Sequence, residues 1–255
     1  MDVLKIERKR RGKRTVFDWD NEGWTETEIV LRWVTVEPYI TTTISIESIR
    51  FSAGEYTVPS TSHTDILRWK AGYGEFPNEE RRDRVNGRLF KGPEEKNQWS
   101  EMISTDNVLR LSTEEVMYLV EEERTYLKRD GVRISIEETF DHLCNWGRHF
   151  FDSYTAYRYL RRAGWTPRCG ISFGCDYVIY DGLPSEAHAS AGVSIERDRP
   201  LDNVEMEALS RSLWHVKKHL IILSITADSH EYGSVEGAEV KTATLAPTTL
   251  NSLIG

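Results

Sequence analysis

From Trp165 onward the apolar residues of this chain stop recurring every three or four positions and begin to alternate or run together. That change of period commits the last third of the chain to a sheet-bearing unit. Just upstream, Asp152 or Ser153 can cap a helix whose apolar stripe is Tyr154, Tyr157 and Leu160 and which stops at Gly164. Downstream, extended segments are expected around Ile171 and Phe173, over 176–180 and over 187–195, each bounded by Gly or Pro. Asp202 with Glu205 three residues on opens a helix through Val204, Leu209, Leu213 and Val216, and 220–225 is a near-continuous apolar run of strand length. A last strand alternates over 239–245. The pattern is a small α/β unit with a helix on one sheet face.

The first half reads differently. Residues 15–17, 29–36 and 39–49 combine aromatic and β-branched residues in strand-like bursts, and a short helix is expected near 64–71. The charge cluster 79–84 reads as a solvated face. Ser112 and Glu115 form a capping box ahead of a helix over 113–124. After the Asp130-Gly131 turn, 132–134 is extended, and a second box, Ser135 with Glu138, starts a helix through Phe140, Leu143 and Trp146. The fold class is therefore α+β, with an N-terminal mixed α/β domain over 1–150 and a C-terminal domain over 151–255 built on a central mixed sheet. The tyrosine stripe of the third helix reads as core, RNA stacking being its alternative.

Length and charge narrow the function. A chain of 255 residues can bury a sizeable core, and no stretch approaches the about eighteen apolar residues of a membrane helix. Cys144, Cys169 and Cys175 have no CxxC or zinc-type spacing and read as buried reduced thiols of an intracellular protein. No apolar signal segment follows Met1. The net charge of -8 argues against holding nucleic acid by overall electrostatics, so local charge must decide. One basic run, 5–14, is readable as a nuclear-import signal, an RNA-contacting arm or a solvated terminus.

Tyr180, His188 and Lys218 stand at expected strand and helix ends. Brought together, they supply a phenol and an imidazole for proton transfer and a fixed cation for developing charge. That set suffices to cleave RNA without a metal or other cofactor, the ribose 2′-OH attacking its own phosphate. Each residue also has an ordinary role: a strand-end aromatic, a surface histidine, and a helix C-terminal cation favoured by the macrodipole.

The segments Tyr154-x-x-Tyr157-x-x-Leu160-Arg161-Arg162-x-Gly164-Trp165, Gly170-Ile171-Ser172-Phe173-Gly174-Cys175-Asp176-Tyr177-Val178-Ile179-Tyr180, His188-Ala189-Ser190, Ala208-Leu209-Ser210-Arg211 and Val216-Lys217-Lys218-His219-Leu220 closely resemble the catalytic domain of tRNA-splicing endonucleases, across about 150–226. Residues 109–119 also look like the segment before that domain in the eukaryotic five-prime-site subunit, with 86–90 a weaker match. The resemblance implies an endonuclease-like fold and tRNA-intron lyase activity without a metal or cofactor. It implies Tyr180 as general base, His188 as general acid, Lys218 as the transition-state cation, with Lys217 its neighbour, and Arg211 as an RNA-binding residue. It also implies precursor tRNA as substrate, other splicing-endonuclease subunits as partners joined through the C-terminal strand, and a nuclear location, with the cytoplasm as alternative. In the family the arginine pairs with a C-terminal tryptophan, but no tryptophan follows Trp214 here. Asp228, Glu231, Glu236 and Glu239 could form the family's acidic docking loop or a solvated hairpin. The alternatives are a non-catalytic RNA-binding or assembly subunit, a three-prime-site subunit, or a self-assembling enzyme of the archaeal type.

Overall fold

The computed structural model describes residues 109–245 except 146 and, further upstream, 19, 24, 26–36, 51–58, 63 and 66–75. The expected strands at 15–17 and 39–49, the charge cluster 79–84, the basic run 5–14 and Trp146 lie outside the described residues. The described chain forms two compact units dividing between Ile134 and Ser135.

In the N-terminal unit β1 (Thr27–Glu28), β2 (Val30–Val36), β3 (Phe51–Val58) and β4 (Leu109–Leu111) precede α1 (Thr113–Glu121). The strands β2, β3 and β4 form an antiparallel sheet. A single π-helical turn at Ile66–Lys70 stands where a short helix was expected. The capping box of α1 forms as the sequence predicts: Glu115 N donates to Ser112 Oγ at 3.2 Å, and Ser112 N donates to Glu115 Oε2 at 3.0 Å. The helix is shorter than expected, ending at Glu121, with Glu122 as its C-cap. Beyond it, β5 (Thr125–Tyr126) pairs with β1, and β6 (Lys128–Arg129) with β7 (Val132–Arg133) across the Asp130-Gly131 turn.

The C-terminal unit begins with α2 (Ile136–Cys144), whose Ser135/Glu138 box also forms, and α3 (Phe150–Arg162). Neither expected cap starts α3. His149 occupies the N-cap without a side-chain hydrogen bond, because Phe150 and Phe151 go into the core against Phe140, at centroid distances of 5.4 and 6.4 Å. Tyr154, Tyr157 and Leu160 are buried, so the tyrosine stripe is core. Then come β8 (Thr166–Cys169), a 3₁₀ turn (Ile171–Phe173), β9 (Tyr177–Tyr180), β10 (Ala191–Glu196), α4 (Asn203–His215), β11 (His219–Thr226) and β12 (Glu239–Leu245). The strand expected around Ile171 and Phe173 is that 3₁₀ turn, and the strand starts earlier, at Thr166. The strand expected over 187–195 begins only at Ala191.

These strands form one mixed sheet in the order β12-β11-β10-β9-β8, parallel only between β10 and β11. Because side chains alternate across a strand, β9 serves both faces. Tyr177 turns to α3, its hydroxyl donating to Ser153 O at 3.0 Å and its ring 6.0 Å from that of Tyr157. Val178 turns the other way, into a cluster with Cys175, Leu220, Ile222 and Leu213 of α4. Helices therefore cover both faces of the sheet, where one was expected. The third predicted capping box, at Asp202 and Glu205, starts α4. Arg199 holds the Glu205 carboxyl down at about 2, mainly through their hydrogen bonds.

Of the three cysteines only Cys175 is buried, and burial pushes its thiol up to about 11; Cys169 is exposed, against the expectation of buried thiols. The turn between β8 and β9 is tight: a Cβ on Gly170 would lie 2.7 Å from the Tyr177 carbonyl carbon and 2.8 Å from Cys175 O. Both neighbours are backbone and cannot step aside. Gly170→Ala is expected to destabilise the chain by about 1–3 kcal/mol, read from urea unfolding. Among the described residues no helix is long and apolar enough to cross a membrane.

Candidate active site

The sheet order brings the three candidate residues to one end of the sheet. Ala191, the first residue of β10, lies between Ile179 of β9 and His219 of β11. Tyr180, the last residue of β9, and Lys218, just before β11, therefore both flank position 190. Ser190 N donates to Ile179 O at 2.8 Å, carrying the ladder one step past the strand, and His188 is exposed two residues earlier. Residues 38 positions apart in sequence thus share one sheet end because β10 is the central strand.

Two of them also share a face. The two-residue period puts Tyr180 with Val178, and it packs against the cluster under α4. The half-buried Lys218 belongs to the same face: its Nζ donates to Ala189 O at 2.9 Å and lies 5.9 Å from the centroid of Phe173, and both residues pack on that cluster. The ammonium is thus tied to the carbonyl next to His188, in cation–π range of an aromatic ring.

The lysine backbone is fixed as firmly as its head group. At the end of α4, Lys217 N donates to Trp214 O at 2.8 Å and Lys218 N to Leu213 O at 2.9 Å. This pair is a Schellman motif, which satisfies the last helix carbonyls and sets the direction in which the chain enters β11. Phe173 is held in turn by Ser212 Oγ donating to its carbonyl at 3.2 Å and by Gly174, whose φ of 76° lets the chain reverse.

Phe173 and the Ala189 carbonyl had no role in the sequence reading, because the lysine that both of them contact is 45 and 29 residues away in the chain. Arg211 is exposed on α4 and pairs with Glu207 one turn earlier, and it is not among the groups gathered at the sheet end. Trp214 lies one turn beyond it and is 46% exposed.

Of the acidic residues between β11 and β12, Asp228 and Glu231 are exposed, whereas Glu236 is tied to the domain. Glu236 pairs with Arg158 and Arg162 of α3, and the Arg158 guanidinium holds its carboxyl below the usual range. His230 stacks on Phe151 at 4.8 Å and Tyr232 lies 5.7 Å from Phe140. Glu239 is instead in β12, 3.5 Å from Lys241. Among the described residues no group of three His, Cys, Asp or Glu side chains gathers as a metal site would.

Known proteins share the sequence of this part of the chain. A family model described as the tRNA intron endonuclease catalytic C-terminal domain matches residues 150–235, which include all three candidate residues and Arg211. A tRNA-splicing endonuclease of Methanococcus maripaludis is 32% identical over 126 residues, covering 48% of this chain and 71% of that protein. One of Hyperthermus butylicus is 31% identical over 125 residues, covering 48% of this chain and 67% of that protein. The mouse tRNA-splicing endonuclease subunit Sen2 is 35% identical over 82 residues, which are 29% of this chain but 18% of the subunit. The chain, with its mixed five-stranded sheet and the three residues gathered at one sheet end, belongs to the tRNA-splicing endonuclease family.

Proposed function

We propose that the chain is a metal-independent endonuclease subunit that cuts precursor tRNA at exon–intron junctions, with residues 151–255 as its catalytic domain. The observation that carries this reading is the placement of Tyr180, His188 and Lys218 at one sheet end, with Lys218 tied to the carbonyl beside His188. Tyr180 removes the proton of the ribose 2′-OH, whose oxygen attacks the adjacent phosphorus. His188 gives a proton to the departing 5′-oxygen, and Lys218 offsets the charge that builds on the phosphorane oxygens. One P–O bond forms and one breaks, leaving a 2′,3′-cyclic phosphate and a 5′-OH. The internal nucleophile removes the need for a metal-activated water.

Arg211 contributes to RNA binding in this reading, its ion pair with Glu207 being exposed and therefore cheap to exchange for a phosphate. The partners are the other subunits of a splicing endonuclease. They join through β12, whose known neighbour, β11, occupies one side only. The nucleus is the proposed location.

The mechanism requires the 2′-OH. A precursor tRNA carrying a single 2′-deoxynucleotide before each junction is expected to stay intact when incubated with the assembled enzyme in EDTA, while the all-ribose substrate is cut. Cleavage of the deoxy substrate, or failure of both, would overturn the reading. Failure of both while the RNA is still bound would favour a non-catalytic binding subunit.

A further inference from the structure

Lys217 occupies a backbone position that suits glycine. Its φ is 56°, and it is the residue that closes the Schellman motif at the end of α4. The equivalent position at the end of α3 is Gly164, with φ 84°. A β-carbon makes the left-handed conformation unfavourable, so glycine is the usual choice there. The end of α1, where Glu123 has φ 54°, demonstrates that this chain can bear a side chain in such a turn. Backbone strain therefore does not by itself assign a use to Lys217.

Its surroundings do. Lys217 is exposed, and among the described residues its ammonium has neither an ion pair nor a hydrogen bond, although acidic residues outnumber basic ones 41 to 33 in the chain. Its neighbour Lys218 points into the sheet end and is held by Ala189 O and Phe173. Two successive lysines thus differ in kind: one anchored within the site and one reaching from its rim into solvent. The two lysines are consecutive in the chain, one anchored and one exposed, so a polyanion held by the first lies beside the second.

We propose that Lys217 is a substrate-binding residue that takes the phosphodiester next to the one being cleaved. The proposal rests on the reading of the sheet end as an RNA-cleaving site. Lys217 acts on binding, and the reacting atoms are left to Tyr180, His188 and Lys218.

The test uses the full chain with its partner subunits and a precursor tRNA made uncleavable by a 2′-deoxynucleotide at each junction, with Kd measured across a series of KCl concentrations. Lys217→Gly is expected to keep or raise Tm while Kd rises several-fold and the slope of log Kd against log salt falls by about 0.7–1. Lys217→Asn, which tolerates the left-handed turn, should lose the same affinity, and Lys217→Arg should retain it. Unchanged Kd and slope in both uncharged variants would overturn the proposal while leaving the cleavage reading intact. An unaltered enzyme that neither binds nor cuts precursor tRNA would overturn the cleavage reading and this proposal with it.

Discussion

His188→Ala is expected to slow precursor tRNA cleavage by about 10²–10⁴-fold, the usual contribution of a positioned general acid, with RNA affinity and Tm little changed. The histidine is exposed, in the segment between β9 and β10, so removing it opens no cavity. In the proposed mechanism what is lost is proton delivery to the 5′-oxygen, a leaving group too basic to depart readily unprotonated. Single-turnover kinetics with saturating enzyme would separate this from a binding effect, because only the chemical step should slow. A variant that retains the full rate would remove His188 from the mechanism.

Lys218→Ala should have a comparable effect, about 10²–10³-fold, for a different reason. A charge already held in place needs no reorganisation when the phosphorane forms, and Lys218 is held at three points: its backbone N–H, its contact with Ala189 O and the Phe173 ring. The same anchoring makes this variant less innocent than the histidine one. The lost charged hydrogen bond to Ala189 O is expected to cost about 1–3 kcal/mol, visible as a lower urea midpoint. Lys218→Arg keeps the charge but presents a planar fork where a compact ammonium was seated, so it should restore stability more fully than rate. A full rate in Lys218→Ala would contradict the assignment.

Much of the fold was legible locally. The three capping boxes at Ser112, Ser135 and Asp202 all form, because a cap and its N3 partner are three residues apart and their pairing needs no help from the rest of the chain. The start of α3 was not legible in this way, since the burial of Phe150 and Phe151 decides it. Ile171 and Phe173 alternate as a strand would, yet Ile171 is 80% exposed in a 3₁₀ turn set between Gly170 and Gly174. The true strand, β8, contains Pro167, which discourages a strand assignment from sequence; it is accommodated because β8 is an edge strand, paired with β9 alone.

The site was legible in a different sense. Nothing local predicts that 180, 188 and 218 share one sheet end, since that depends on β10 lying between β9 and β11, a long-range pairing. The resemblance to the family supplied those residues, and the strand register then gave a physical reason for their grouping. The left-handed backbone of Lys217 had no signal at all, because the glycine that normally marks such a turn is missing. Arg211 was singled out by the same resemblance, and in the structure it pairs with Glu207 on the exposed surface of α4.

The central claim is that RNA is cut by its own 2′-OH with protein groups alone moving the protons. The most direct measurement is the end chemistry of the fragments released from precursor tRNA by the assembled enzyme in EDTA. The account predicts a 2′,3′-cyclic phosphate on the upstream fragment and a 5′-OH on the downstream one. A 3′-OH with a 5′-phosphate, or cleavage that appears only when a divalent metal is restored, would contradict it.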